Sequence, residues 1–194
     1  MNEPRPVSEV SQLKALTHPL RVRILYALRA EGKATASRLG QLVDESPASV
    51  SYHLRKLSDG GFVVEAADAG SDGRERWWTV PPEGFSWTPT DFADTPEGAA
   101  VSRAAKQVLV DNQFFRQREY DASAKSWGDV WNHAALSCDF VMKLTAAETE
   151  AMMKEVQSVF NKWRVHSDER TDAVPSSADT EHVMVFAHGF PYRP

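Results

Sequence analysis

The chain has 194 residues, of which 42% are hydrophobic and 25% charged, so its composition is that of a folded globular protein and not of a disordered one. It has no run of about 18 apolar residues, and its first residues, MNEPRPVSEV, lack the apolar core of a signal peptide, which predicts a cytoplasmic protein with no membrane span. A single cysteine, Cys138, excludes an internal disulfide and any zinc site built from several cysteines.

The formal net charge of −5 is unevenly distributed along the chain. Residues 13–80 carry a net charge of +2, whereas residues 81–194 carry −6. Exposed charges are screened beyond about 8 to 10 Å in physiological salt, so the acidic half does not prevent the first half from binding a polyanion. Because +2 is a small charge, we expect nucleic-acid binding to be salt-sensitive and to depend on dimerisation.

Apolar residues at helical spacing predict four helices in the first sixty residues. His18 precedes a proline, which ends the first helix and places Pro19 in the first turn of the second. Leu39 and Leu42 are expected to face inward on the third helix, and Ser46 is a good N-cap for the fourth. The predicted bounds are 8–16, 19–31, 34–43 and 47–58.

Two predicted strands follow the fourth helix. The segments FVVEAA and RERWWTV are separated by DAGSDG, a polar, glycine-bearing stretch that is typical of a hairpin tip. Trp77 and Trp78 are adjacent in the second strand, so they face opposite sides and one of them can fill a core. The order of helices and hairpin predicts a mainly α fold with a small β-hairpin wing, a winged helix-turn-helix domain over residues 1–80.

Residues 81–194 are predicted to form a helical dimerisation and effector region. A proline-marked linker leads to a helix from Thr95 to about Ala124, whose apolar residues recur at a spacing close to 3.5. This is the period of helices that pack lengthwise on a partner, so we expect the chain to dimerise through this helix.

Three more elements are predicted after that helix. A further helix carries two tryptophans and runs towards Lys143, and a capping box of Thr145 and Glu148 opens another helix to about Val165. The polar residues 167–180 are expected to be mobile. The segment HVMVFAHGF predicts a strand close to the end of the sequence.

The fourth predicted helix has two distinct faces. Val50, Leu54 and Leu57 stand at i, i+4 and i+7 and are expected to pack on the preceding helices. Small side chains on the other face allow close approach to base edges, and basic ones reach phosphates or guanine. The pattern favours a recognition helix in the DNA major groove, and the alternative is an exposed amphipathic helix with a solvated polar face. The polar face consists of Ala48, Ser49, Ser51, Tyr52, Arg55 and Lys56.

The segments HPLRVRIL and SVSYHLRKLSDGGFV, followed by GRERWWTV, resemble the winged-helix domain of arsenic-repressor-type (ArsR-type) bacterial transcriptional regulators. The resemblance covers about residues 10–80. It implies a dimer that binds a pseudo-palindromic operator and often represses. It also implies DNA contacts, on the recognition helix and in the wing, from Ser49, Ser51, Tyr52, His53, Arg55, Lys56, Arg74 and Arg76.

Neither a metal site nor a catalytic site is expected. Many ArsR-type proteins sense metals through a cysteine pair on the helix before the recognition helix, but here that helix, ATASRLGQLV, has no Cys or His. His182 and His188 share the parity of one predicted strand, and Asp129 and His133 lie one helical turn apart, but ordinary surface or core histidines are the favoured interpretation. No glycine-rich phosphate loop is present, so we expect no cofactor and no enzymatic activity.

Aromatic residues are concentrated in the C-terminal half. Their simplest role is in the core or in a dimer interface, and the sharper hypothesis is a cavity for a small apolar effector. The predicted lining of that cavity is Trp127, Trp131, Phe140, Phe160 and Trp163. Together these features predict a homodimeric, sequence-specific DNA-binding regulator, and the alternative is a winged-helix module that binds a basic protein partner.

Overall fold

A computed structural model describes residues 4–66, 75–173 and 180–193 of the chain. It divides into two compact units, Met1–Ser126 and Trp127–Pro194. The predicted boundary at residue 80, between the DNA-binding domain and the dimerisation and effector region, is a functional division and stays a prediction. No helix among the described residues is long and apolar enough to cross a lipid bilayer.

The first unit contains the helices predicted for its N-terminal part. The second helix begins after His18, whose Nδ1 accepts the backbone N–H of Leu20 at 3.2 Å. The fourth begins after Ser46, whose Oγ accepts the backbone N–H of Ser49 at 3.2 Å, as the N-cap prediction requires. The bounds are α1 Val10–Leu13 with a 3-10 turn Lys14–Leu16, α2 Pro19–Glu31, α3 Ala36–Val43 and α4 Pro47–Asp59.

A three-stranded antiparallel sheet forms the base of the wing. Its strands are β2 Lys33–Thr35, β3 Val64–Glu65 and β4 Trp77–Thr79, with β4 in the centre. The third helix was predicted to start at residue 34, which is wrong, because residues 33–35 pair with β4 before α3 begins. In β4, Trp78 is buried and Trp77 only half-buried, so the two indoles do take opposite faces.

The N-terminal segment and the linker form a second, parallel pair of short strands. In it β1, Arg5–Pro6, pairs with β5, Phe85–Ser86. The guanidinium of Arg5 donates to the carbonyl oxygen of Gly61 at 2.8 Å, just after α4. Phe85 also meets Phe62 with ring centroids 4.7 Å apart. The predicted linker is therefore held against the C-terminal end of α4.

One hydrophobic core joins these elements. Val50, Leu54 and Leu57 of α4 are all fully buried, which confirms the predicted inner face of this helix. The prediction for α3 is half right, because Leu39 is fully buried but Leu42 is 41% exposed. The buried residues of α3 are Leu39, Gly40 and Val43, and Leu42 lies on the side of the helix that faces solvent.

The long helix α5, Pro96–Ala134, begins on this core and is interrupted at Gly128. Its buried Ala105 packs in the same cluster as Phe92 of the linker. Gly128 has φ 74° and ψ 169°, a conformation that suits glycine and breaks the helical hydrogen bonding. The helix predicted from Thr95 and the tryptophan-bearing helix predicted after it therefore follow each other directly within α5. The second of them ends at residue 134, before the predicted end near residue 143.

The second unit is built around α6, Ala146–Ala173. The backbone N–H of Thr145 donates to the Glu148 carboxylate at 2.7 Å, and that of Glu148 donates to Thr145 Oγ1 at 3.2 Å, so the predicted capping box is present. The helix enters the segment that was expected to be mobile, of which residues 174–179 lie outside the described part. The predicted strand at 182–190 is wrong, since residues 180–193 have no regular secondary structure and no described strand pairs with them.

Candidate nucleic-acid interface

The connection between α3 and α4 is a tight turn. Asp44 takes the left-handed conformation, with φ 53° and ψ 57°, and reverses the chain. The backbone N–H of Glu45 then donates to the carbonyl oxygen of Gly40 at 2.9 Å. A Cβ at Gly40 would lie only 2.6 Å from the carbonyl oxygen of Glu45, so this close crossing of the backbone requires glycine. The turn fixes the angle between the two helices and leaves the outer side of α4 uncovered.

The exposed side of α4 carries the larger polar residues that were predicted to contact DNA. Tyr52 is 54% exposed, and Arg55 and Lys56 are exposed as well. The Nε of Arg55 donates to the backbone carbonyl of Ser51 at 3.2 Å, which leaves its Nη groups available to a ligand. Lys56 forms a 3.5 Å ion pair with Asp59, and its ammonium lies 6.0 Å from the centre of the Tyr52 ring. The face is basic, and one of its two cations is already partly neutralised.

Ser49 and Ser51 lie in the N-terminal half of the same helix and are half-buried. Ser49 follows the exposed Ala48, so the helix presents only short side chains at its start. Short side chains let the helix backbone approach base edges closely. These serines and Arg55 therefore share one accessible stretch of α4.

His53 is the predicted contact that the structure does not place on this face. Its side chain is only 9% exposed, because its ring packs against that of His18 with centroids 4.6 Å apart. His53 directly follows the exposed Tyr52 in the sequence. Successive residues of a helix point about 100° apart, so the His53 side chain faces α2 while that of Tyr52 faces solvent. The His53 side chain is thus enclosed, although the family resemblance implies a DNA contact from it.

The wing contributes one described arginine. Arg76 donates to the carboxylate of Glu65 at 3.1 Å, and both side chains are largely exposed. An exposed pair of this kind contributes about 0 to 1 kcal/mol, so DNA can compete for the guanidinium. Arg74, the other predicted wing contact, lies outside the described residues.

The aromatic residues predicted to line an effector cavity are accessible to solvent. Trp163 is 61% and Phe140 is 76% exposed, and Trp127 and Phe160 are at 38% and 37%. Trp131 is half-buried. None of residues 127–170 and 180–193 is fully buried, so the structure of one chain leaves these side chains without an enclosing core.

Within residues 4–66, 75–173 and 180–193, no three or more His, Cys, Asp and Glu side chains come together as metal ligands would. His188 instead lies beside Phe186, with ring centroids 5.9 Å apart.

Comparison with protein-family models identifies the class of the N-terminal domain. Residues 16–66 match a helix-turn-helix domain. The match spans α2, α3 and α4 and ends just after β3. The helices, the tight turn and the antiparallel wing therefore belong to a winged helix-turn-helix domain, as the sequence pattern predicts.

No curated protein matches the chain. Among solved structures, a double mutant of ZitR from Lactococcus lactis in its apo form is 17% identical, with a TM-score of 0.33, over 76% of this chain and 83% of that one. A disulfide-formed AbfR is 19% identical, with a TM-score of 0.29, over 55% of this chain and 68% of that one. At these scores the helix-turn-helix match alone supports the assignment of the domain.

Sequence reasoning missed that His18 and Arg21 lie beside this helix-turn-helix face. Desolvation is the main cause that lowers the pKa of both His18 and His53; the positive charge of Arg21 adds to it, and the carboxylate of Glu45 opposes it. The pair His18-Pro19 marks the start of α2 in the sequence. Helical spacing within α2 does not show which side chain of α4 the His18 ring contacts.

The lowered pKa values predict a loss of stability in mild acid. The folded protein binds protons on these imidazoles less readily than the unfolded chain, so the free energy of unfolding falls as pH drops below the ordinary imidazole pKa of about 6.5. We expect the melting temperature to decrease from about pH 6.5 towards pH 5. The double variant His18→Asn, His53→Gln is expected to flatten this slope, since asparagine keeps the N-cap acceptor. A wild-type melting temperature that is constant over this range would contradict the prediction.

Proposed function

We propose that the protein is a sequence-specific DNA-binding transcriptional regulator of the ArsR type, acting as a homodimeric repressor without catalytic chemistry. The observation that carries the proposal is α4, which has a fully buried apolar back and an accessible front with Ser49, Ser51, Tyr52 and Arg55. Its place as the second helix of the helix-turn-helix motif supports the proposal that this front enters a major groove.

The roles of the front follow from its chemistry. Arg55 is proposed to contact guanine through its free Nη groups, and the short Ser49 and Ser51 to allow the helix to lie close to the bases. Lys56 and the wing residue Arg76 are proposed to contact phosphates, and Arg74 remains a predicted contact outside the described residues. Lys56 and Arg76 form exposed ion pairs with Asp59 and Glu65, which contribute about 0 to 1 kcal/mol each, so a backbone phosphate can replace these carboxylates.

Dimerisation is proposed through α5. Val101, Val108, Phe115 and Ala122 are spaced by seven residues, and Phe115 is 45% exposed. Val101 packs against the core of its own chain and Val108 is half-buried, whereas Phe115 and Ala122 further along are exposed. Exposed apolar side chains at this spacing are typical of an interface. Two copies would place their recognition helices about 34 Å apart, in successive major grooves on one side of the duplex.

We expect the Phe115→Glu variant to be monomeric where the wild-type protein is dimeric. A charge in the centre of the apolar row would have to be buried without a partner, which weakens association by more than about tenfold. Light scattering at micromolar concentration measures the mass of each. Gln117→Glu adds the same charge on the opposite side of α5 and is expected to remain dimeric. A monomeric wild-type protein would contradict the proposed interface.

Selection of bound sequences from a random duplex pool tests the proposed function directly. We expect enrichment of a pseudo-palindrome with half-sites about one helical turn, 10 to 10.5 base pairs, apart. Enrichment of a single half-site would contradict the dimer and keep the DNA-binding proposal. Binding that depends neither on sequence nor on salt would overturn the proposal in favour of a protein-interaction module.

The aromatic side chains Trp127, Trp131, Phe140, Phe160 and Trp163 are proposed as a site for a small apolar effector. Their exposure in a single chain favours a surface that is completed by a ligand or by a second copy. Quenching of tryptophan fluorescence by an apolar ligand at protein concentrations where the oligomeric state is constant would distinguish the two. A change of fluorescence that follows only the dimer concentration would contradict the effector site.

A further inference from the structure

A group of basic side chains lies next to the front of α4, and it combines residues from the start of α2 with one from α4 itself. His18 is the N-cap of α2, and its ring stacks at a tilt on that of His53, with centroids 4.6 Å apart. The ring of His53 in turn lies 5.2 Å from that of the exposed Tyr52. We call His18, Arg21 and His53 the basic cluster. It connects the first turn of α2 to the exposed front of α4.

Arg21 is the cation of this cluster that has no anionic partner among the residues the structure describes. Within the described residues its guanidinium forms no hydrogen bond or ion pair, and its Nε is buried without a partner. Desolvation lowers the pKa of this guanidinium, which the nearby Tyr52 opposes. A partly desolvated guanidinium is stabilised by an oxyanion, for which its planar donors are well suited.

The two imidazoles of the cluster leave donors available. Because Nδ1 of His18 accepts the N–H of Leu20, the neutral ring carries its proton on Nε2, which is free to donate. His53 is about nine-tenths buried, with 9% exposure, and its Nδ1 has no partner in the described chain. A buried nitrogen without a partner normally indicates a missing ligand or water.

Three other basic residues of the first unit each have a carboxylate partner. Lys14 is held by Glu97 at 2.7 Å, Arg38 by Glu31 at 2.9 Å, and Arg76 by Glu65 at 3.1 Å. Arg21 has no such carboxylate in the described part of the chain. Its charge is therefore available to a ligand that approaches the front of α4.

We propose that the basic cluster binds a backbone phosphate of the same duplex whose bases face α4, an inference that rests on the proposed function. The guanidinium of Arg21 and the Nε2–H of His18 donate to the phosphate oxygens. The ring of His53 packs against that of His18 and holds it in position. A phosphate contact from α2 fixes the depth and register of α4 in the groove without reading sequence.

Glu45, in the turn before α4, carries a charge opposite to that of the basic cluster and therefore allows a second test of the phosphate site. Its carboxylate is exposed and its charge acts on both imidazoles in the direction opposite to that of Arg21. It would repel a phosphate in the cluster. Removing this charge should strengthen DNA binding, whereas removing Arg21 should weaken it.

Binding of a selected duplex and of an unrelated duplex at several salt concentrations tests the inference. We expect Arg21→Ala to weaken binding of both duplexes about tenfold, and to reduce the slope of log affinity against log salt by about one for each cluster engaged. Glu45→Gln is expected to strengthen binding of both. Lys14→Ala removes an equal charge that Glu97 holds, and is expected to change binding far less.

The outcomes separate this inference from the proposed function. If the wild-type protein binds no duplex, both fail. If it binds but Arg21→Ala and Glu45→Gln leave affinity and salt slope unchanged, only the phosphate site is overturned. Weakening confined to the selected duplex would also overturn it, because it would make Arg21 a base contact. If Arg21→Ala does not fold, as circular dichroism would show, the response of Glu45→Gln decides.

Discussion

The Arg55→Ala variant is expected to fold and melt like the wild-type protein and to bind the selected duplex about 5 to 150 times more weakly. The range corresponds to the 1 to 3 kcal/mol that a good arginine–guanine contact contributes to discrimination. Its side chain is exposed, and its one hydrogen bond, from Nε to the carbonyl of Ser51, lies on the surface of α4. Truncation therefore leaves the core of the domain intact.

Titration of labelled duplex at one fixed salt concentration measures this effect. The loss should be larger for the selected duplex than for an unrelated one, which distinguishes a base contact from the phosphate contact proposed for Arg21. Arg55→Lys, which keeps the charge but not the paired donors, should recover the non-specific part only. Unchanged affinity of Arg55→Ala would contradict the assignment of this residue.

The neighbouring substitution Leu54→Ala is expected to act on the fold and not on the contact. Leu54 is fully buried between α4 and the helices that precede it. Removing a buried leucine side chain lowers the free energy of unfolding by about 2 to 5 kcal/mol, through lost burial and the cavity that remains. For a domain of ordinary stability, about 5 to 15 kcal/mol, this is a large share.

Urea denaturation followed by circular dichroism measures that loss. Leu42→Ala is the matched control, because Leu42 is 41% exposed on α3 and its truncation should change stability by no more than about 0.5 kcal/mol. Equal effects of the two substitutions would mean that α4 does not pack on the core as the structure has it. Leu54 and Arg55 are adjacent in the sequence, so their two variants compare the inner and the outer face of the same helix.

Local signals in the sequence were sufficient for the elements that depend on neighbours in the chain. Ser46 before Pro47 predicted the start of α4, and the Thr145–Glu148 pair predicted the start of α6, because a cap is made within one turn of the helix. The inner face of α4 was also predictable, since apolar residues at helical spacing need only a core to pack on.

Elements that depend on distant partners were mispredicted. Residues 33–35 resembled a helix start, and they became strand β2 only because β4, more than forty residues later, pairs with them. The apolar segment at 182–190 has the pattern of a strand but meets no described strand to pair with. Pairing of strands is a non-local event, and alternation in one segment does not show whether a partner exists.

The sequence by itself determined the class of the domain and the residues that its recognition helix offers. The order of helices and hairpin, the caps and the polar front of α4 all follow from short-range patterns. Tertiary structure alone decided which of those residues remain accessible. It turned His53 inward against His18 and brought the unpaired Arg21 of another helix beside Tyr52, because packing between helices, which spacing within one helix cannot show, sets the neighbours of each side chain.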